Sequence, residues 1–198
     1  KGYQFAETNS VLNQYVAEIR DVAVQGDRMR FRRNIERIGE IMAYEMIGTD
    51  VFCQAGTDSL GGGVGQHTDD EVVIATVFRA GLPLHTGFLN MFDHAGNAFV
   101  SAYRYYKDKE CRTVDVHIEY IATPDLSKKT LLIVDPMLAT GESMELAWKP
   151  CHQGDAGQVA DSLCHSQPAG RRASGKLFPG DEVTLWCAAI DPEMNEHS

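Results

Sequence analysis

The stretch "VDPMLATGESM", residues 134–144, gathers the residue types best suited to chemistry. An apolar run from Leu131 to Val134 ends in one carboxylate, Asp135, followed by Pro136 and then by Thr140, Gly141 and Ser143. A strand ending at Asp135, a tight turn at Gly141 and a helix beginning near Ser143 would point several unpaired backbone N–H groups at one place, the positive end of a helix dipole. Such a place holds an anion, and a phosphate suits it best. Thr140 and Ser143 add hydroxyl donors, while a carboxylate fixed at a strand end accepts hydrogen bonds from sugar hydroxyls. Phosphate beside vicinal hydroxyls describes a ribose 5-phosphate. The turn is not a Walker loop, because GxxxxGK[ST] is absent, and "GGGVGQ" (61–66) breaks GxGxxG at its last position. Taken alone, a short glycine turn of this kind is more often an ordinary strand–helix joint with a capping serine.

The neighbouring elements give the turn its setting. "EVVIATVF" (71–78) is the continuous β-branched run of a buried strand and stops abruptly at "RAGLP" (79–83). "HTGFLNMF" (85–92) predicts a helix. "NAFVSAYRYY" (97–106), "VDVHIEYI" (114–121) and "TLLIVD" (130–135) predict three more strands, the second alternating Val114, Val116, Ile118 and Tyr120. "SMELAW" (143–148) starts another helix. Upstream, Asn9 or Ser10 caps a helix carrying Leu12, Tyr15, Val16 and Ile19, and "RMRFRRNIERIGEIMAYE" (28–45) forms a second. Residues 50–70, rich in Gly, Asp and Thr, read as a loop or weak hairpin. Strands alternating with helices after Glu71 argue for an α/β fold, a mostly parallel sheet covered on both faces, with ligands bound where strands end.

Composition narrows the function. At 198 residues with 43% hydrophobic content, the chain most simply forms one domain with a substantial core. Eighteen Lys and Arg against twenty-eight Asp and Glu give a formal charge of −10, which repels phosphate backbones and disfavours nucleic-acid binding. No apolar stretch approaches the roughly 20 residues of a membrane helix, and no signal-peptide layout opens the chain. Five scattered cysteines without CxxC suggest reduced thiols, so a cytoplasmic protein is expected.

"DPMLATGES" resembles the ribose-phosphate loop of type I phosphoribosyltransferases, and the proline after a single aspartate is similar to the uracil phosphoribosyltransferase family. "FRAGLP", "FVSAYR" and "CAAIDPEMNEHS" fall in that family's order and spacing, with the resemblance running from about Val11 to Lys149 and again from about Leu177 to Ser198. The resemblance implies a type I phosphoribosyltransferase fold with an N-terminal helical arm. It divides the chain into N-terminal helices (1–48), a core with the ribose-phosphate loop (71–149), an aberrant segment (150–176) and an incomplete C-terminal uracil-site region (177–198). The implied reaction joins uracil to 5-phosphoribosyl 1-diphosphate, giving UMP and diphosphate, with Mg²⁺ carried by the diphosphate substrate and no metal held by the protein itself. By the match, Asp135, Pro136, Met137, Leu138, Ala139, Thr140, Gly141, Glu142 and Ser143 cradle the ribose 5-phosphate, and Asp135 also favours an oxocarbenium-like centre. Arg79, with Ala80 and Gly81 beside it, faces the diphosphate, and Arg104 belongs to a loop over the same ligand. Asp135, Arg79 and Arg104 are the catalytic candidates, and a homodimer or higher oligomer is implied.

Three features depart from the family. Glu142 stands where many relatives carry a small residue; turned inward, its charge would oppose a phosphate. "PCHQGDAGQVADSLCHSQPAGRRASGK" (150–176) has neither helical nor strand periodicity, although a buried strand belongs there. Sliding the possible codons of Pro150–Gly170 by one nucleotide permits "LATKGTPAKLQIVCVIASQQG", with a turn and an apolar strand, so the stretch reads as a frameshift product and the sheet is expected to lack a central strand. A disordered insertion is the alternative reading, and a zinc site from Cys151-His152 and Cys164-His165 accounts for it less well. Lastly, the glycine-rich segment by which the family reads uracil would follow Ser198, so base recognition is expected to be largely absent. Five arginines between Arg28 and Arg37 interleave with Glu36, Glu40 and Glu45 and read as a solvated or dimer-facing surface. His85, His94 and His117 lack metal-ligand spacing and read as structural. An RNA-binding relative of the pyrimidine attenuation regulators and an inactive fragment are the rival readings.

Overall fold

The computed structural model describes residues 2–49, 53–57, 64–68, 72–106, 114–127, 129–138, 158–166 and 183–190. Ser10 caps the first helix, α1 (Val11–Arg20): its Oγ accepts the Leu12 N–H at 3.2 Å, and Asn13 reaches back to the Ser10 N–H. Leu12, Val16 and Ile19 form its buried face, as their spacing predicts. Asp27 caps α2 (Arg28–Ile47) by accepting from the N–H groups of Met29 and Arg30. Ile35, Ile38, Met42 and Met46 of α2 are buried. Three arginines of α2 are engaged by neighbours: Arg30 lies 3.5 Å from Glu18, Arg33 pairs with Glu36, and Arg37 sits over the Tyr15 ring and donates to Asn34. Asn34 in turn donates to Glu18 at 2.7 Å, which with Arg30 and Arg37 nearby holds that carboxyl below its ordinary range.

The strands follow in chain order as β1 (Gly2–Gln4), β2 (Cys53–Thr57), β3 (Val64–Thr68), β4 (Val72–Phe78), β5 (Gly96–Tyr106), β6 (Val114–Ala122), β7 (Thr130–Leu138), β8 (Gln158–Ser166) and β9 (Val183–Ile190). β2 and β3 pair as an antiparallel hairpin within the stretch read as a loop or hairpin. The rest form a sheet in the order β1-β9-β8-β7-β4-β5-β6, parallel throughout except for the antiparallel edge strand β6. A mostly parallel α/β sheet is what the alternation of elements predicted. Ile74 of β4, Leu132 and Val134 of β7 and Trp186 of β9 pack with the helices, whereas Val73, Ala75, Ala98, Leu131 and Ile133 form a second cluster with Leu126. Both faces of the central strands are therefore buried, which explains their unbroken apolar runs.

A helix α3 (Leu82–Leu89) joins β4 to β5 and lies backbone-to-backbone on α2. A Cβ added to Gly39 would stand 2.7 Å from the Leu84 carbonyl oxygen, and one on Gly87 would collide with the Glu36 carbonyl oxygen. Only glycine at both positions permits so close a crossing. The helix starts three residues earlier than its periodicity suggests because Pro83, which reads as a breaker, fits the first turn, where no N–H is needed.

The expectation of a missing central strand is not met. Gln158–Ser166 forms β8 between β7 and β9, with Asp161 opposite Ile133 and Leu185 and Ser162 opposite Val134 and Trp186. Ladder hydrogen bonds come from backbone groups that every residue but proline carries, so a segment without apolar alternation is still pairable from both sides.

Candidate functional site

Sheet topology locates the site. From β4 the chain runs through α3 to β5 on one side, while β7 leads to β8 on the other, so the connections diverge between β4 and β7. In open parallel sheets this divergence leaves a crevice beyond the strand ends, where ligands bind. β4 ends at Phe78 and passes into the turn of Arg79, Ala80 and Gly81; β7 carries Asp135, Pro136 and Met137 past the last residue paired with β4, Val134. Thr76 and Val134 are partners in the ladder, so Arg79 and Asp135 leave neighbouring strands at the same rim, where adjacent strands run about 4.8 Å apart.

Each half of the rim is built by specific contacts. Thr76, fully buried, donates its hydroxyl to the Val134 carbonyl at 3.0 Å, tying the two strands together one residue before Asp135. The same hydroxyl forms the floor under Gly81, where an added Cβ would run into Thr76 Oγ1 and lie 3.1 Å from the Val77 carbonyl oxygen. Gly81 has φ −72°, so the position needs room rather than an unusual backbone. Its N–H donates to Val77 and its carbonyl accepts from the His85 N–H at 2.9 Å, which closes the turn and starts α3. Arg79 is exposed at the outer edge of this turn, and the Phe78–Arg79 peptide is cis.

Across the crevice, the half-buried Asp135 accepts the Met137 N–H on Oδ1 at 3.0 Å. This bond bends the carboxylate back along its own strand and fixes its direction. β7 continues to Leu138, three residues beyond the strand end read from the sequence, because β8 keeps pairing with it after β4 has ended. Met137 is exposed at the rim. Arg104 lies in β5 opposite Val116 of β6, three residues past Ser101, the partner of Phe78. Its backbone therefore stands about 10 Å farther along than the end of β4, on an overhanging ribbon. Ala139, Thr140, Gly141, Glu142 and Ser143, like the helix expected from Ser143, lie outside the described residues, as does Ser198 with the residues before it from Asp191.

The structure thus brings Arg79, Ala80, Gly81, Asp135, Pro136 and Met137 to one rim and sets Arg104 on the neighbouring strand. An exposed guanidinium on one side of a crevice and an oriented carboxylate on the other suit a ligand with an anionic end and a hydroxylated middle. Sequence reasoning missed Thr76, which reads as one more β-branched strand residue until its partner in β7 is known. Of the histidines, His85 is buried, His94 is exposed in the turn before β5, and the side chain of His117 lies outside the described residues. Among the described residues no group of three His, Cys, Asp or Glu side chains could hold a metal ion, and no helix is long and apolar enough to cross a membrane.

Comparison with known proteins agrees with this fold. The family model described as uracil phosphoribosyltransferase matches residues 6–198. A curated uracil phosphoribosyltransferase from Porphyromonas gingivalis is 52% identical over 194 residues, which span 96% of this chain and 88% of that protein. Another, from Pyrobaculum arsenaticum, is 33% identical over 84% of this chain and 79% of its own length. Among solved structures, the AQ2163 protein from Aquifex aeolicus superposes with a TM-score of 0.79 at 22% identity, covering 99% of this chain and 90% of that one. A hypoxanthine-guanine phosphoribosyltransferase from Bacillus anthracis shares the fold at a TM-score of 0.51 and 10% identity, covering 80% and 78%. The match along nearly the whole sequence, on a sheet whose switch point carries Arg79 and Asp135, establishes that the chain belongs to the uracil phosphoribosyltransferase family.

Proposed function

We propose that this chain binds 5-phosphoribosyl 1-diphosphate across the β4–β7 crevice and transfers its ribosyl 5-phosphate to uracil. A bond forms between uracil N1 and ribose C1 as the bond from C1 to the diphosphate oxygen breaks; the electron pair leaves with diphosphate and N1 loses its proton. Positive charge grows on the ribose ring and negative charge on the leaving group, so the protein's work is positioning and electrostatic stabilisation. Asp135, held by the Met137 amide, accepts from the ribose hydroxyls and lies on the side where ring charge develops. Arg79 faces the diphosphate from the opposite turn, Arg104 reaches it from the overhanging strand, and residues 135–143 surround the 5-phosphate. Mg²⁺ would enter with the substrate, because a diphosphate offers the hard oxygen ligands this ion prefers. We place the enzyme in the cytoplasm and expect at least a homodimer.

The observation that carries this reading is the meeting of Arg79 and Asp135 at the switch point of a sheet with the family's sequence along nearly its full length. The RNA-binding alternative is not favoured: the relatives named above are uracil phosphoribosyltransferases, and Arg30, Arg33 and Arg37 of α2 already face acidic or aromatic partners. Isothermal titration with Mg²⁺ and phosphoribosyl diphosphate tests the proposal. Binding that weakens in Asp135→Asn supports it, and the absence of binding to the parent chain would refute it.

A further inference from the structure

The side chain of His85 has no part in the site as described above, yet its surroundings connect it to Arg79. The side chain is 2% exposed, in the first turn of α3. Its Nε2 lies 2.7 Å from Asn97 Oδ1 at the start of β5, its ring centroid is 5.0 Å from that of Phe99, and Phe99 is 4.9 Å from Phe78, the residue before Arg79. Phe78, Phe99 and His85 thus form a continuous column beneath the turn that presents the arginine. Nδ1, also buried, has no hydrogen-bond partner among the described residues. Burial holds the imidazole below its ordinary titration range, against the opposing pull of the Asn97 hydrogen bond, so the ring is neutral and Nε2–H donates to Asn97. A leucine or phenylalanine would fill this apolar space without burying an unpartnered nitrogen. What the histidine adds is a directional link from α3 to β5, next to a backbone N–H that already closes on Gly81.

We propose that His85 is a positioning residue for diphosphate binding: wedged against Phe99 and bonded to Asn97, it fixes the first turn of α3 and thereby the backbone that presents Arg79. The inference rests on the reading of Arg79 as a diphosphate ligand. Its test separates the two ends of the substrate. The full chain, His85→Leu and His85→Gln are titrated with Mg²⁺-phosphoribosyl diphosphate and, separately, with ribose 5-phosphate, which lacks the diphosphate. His85→Leu should bind the diphosphate ligand about tenfold more weakly, equivalent to about 1.4 kcal/mol, with ribose 5-phosphate affinity held within about twofold. His85→Gln, whose amide still donates to Asn97, should recover at least half of that loss on a logarithmic scale. Equal losses for both ligands, or none for either, in variants with a cooperative melt would overturn the proposal. Should His85→Leu not fold, Asn97→Ala must reproduce the selective loss, and its failure to do so is equally decisive. A parent chain that binds ribose 5-phosphate but gains nothing from the diphosphate would overturn the role of Arg79 and this inference with it; one that binds neither ligand would overturn the proposed function itself.

Discussion

Replacing Gly81 by alanine tests whether the floor of the arginine turn is as tight as its contacts indicate. The new methyl would occupy the place of Thr76 Oγ1, with Thr76 Cβ at 3.2 Å and the Val77 carbonyl oxygen at 3.1 Å leaving little room on either side. One response is for the Thr76 hydroxyl to turn away from the Val134 carbonyl, which leaves a buried acceptor unmet at a cost of about 1–3 kcal/mol. The other is for the turn to lift, at the cost of about 1–3 kcal/mol typical of an overpacked core. Either response predicts a loss near 2 kcal/mol. For a chain of this length, that lowers the melting temperature by about 4–8 °C. Thermal and urea unfolding of Gly81→Ala, Thr76→Ala and the double variant measure it. Removing the hydroxyl makes space for the methyl, so the double variant should be more stable than the sum of the single losses by about 1 kcal/mol or more. Losses that add to within about 0.5 kcal/mol, or a Gly81→Ala loss smaller than that, would refute the packing argument.

Asp135→Asn keeps an oxygen to accept the Met137 N–H, so it should leave the melting temperature nearly unchanged while weakening phosphoribosyl diphosphate binding by at least about tenfold, as calorimetry would read. Burial keeps His85 neutral in the folded chain, whereas the unfolded chain takes up a proton near the ordinary histidine value of about 6.5. More protons are then bound by the unfolded state, so stability is complete above that pH and falls as pH drops below it. Comparing melts at pH 7.5 and 5.5 should show a smaller acid loss in His85→Phe than in the parent; equal losses would count against a neutral buried imidazole. Replacing residues 150–170 by "LATKGTPAKLQIVCVIASQQG" should raise the melting temperature, because isoleucine would take the place of Asp161 in the ladder between Ile133 and Leu185. A lower melting temperature, or source DNA without a compensating pair of indels there, would argue against a shifted reading frame.

The strands that flank the site were legible because their environment is uniform. β4 and β7 are buried on both faces and read as unbroken apolar runs, and "RAGLP" marks where β4 stops. The helix α1 was legible from its cap and spacing, and α2 from its spacing alone. What the sequence concealed depends on distant partners. β1 has three residues, too few for any period, and its place is set by pairing with β9 and by Tyr3 stacking on Trp186 with centroids 4.1 Å apart. β8 has no apolar rhythm and is defined by the strands on either side of it. The extension of β7 to Leu138 likewise depends on β8. Within the site, motif matching singled out Arg79 and Asp135, but their common rim became apparent only from the strand order. Thr76 and His85 carry no motif at all, and their importance lies in one hydrogen bond each.

The Thr76–Val134 bond joins residues 58 positions apart, and the site exists only where those two stretches meet. No local segment contains a working fragment of it: the arginine turn forms beside β4, and the carboxylate arrives more than fifty residues later in synthesis. Contacts of such long range close slowly, because the chain between them must be brought together before they reward it. A ligand that bridges both halves therefore reports on completed folding as well as on chemistry, and it rewards the completed state. At one hundred times its dissociation constant it would add about 2.7 kcal/mol to the native state. Substrate in the cell would then act on this enzyme as a chaperone acts on others, by selecting the molecules in which the two halves have met.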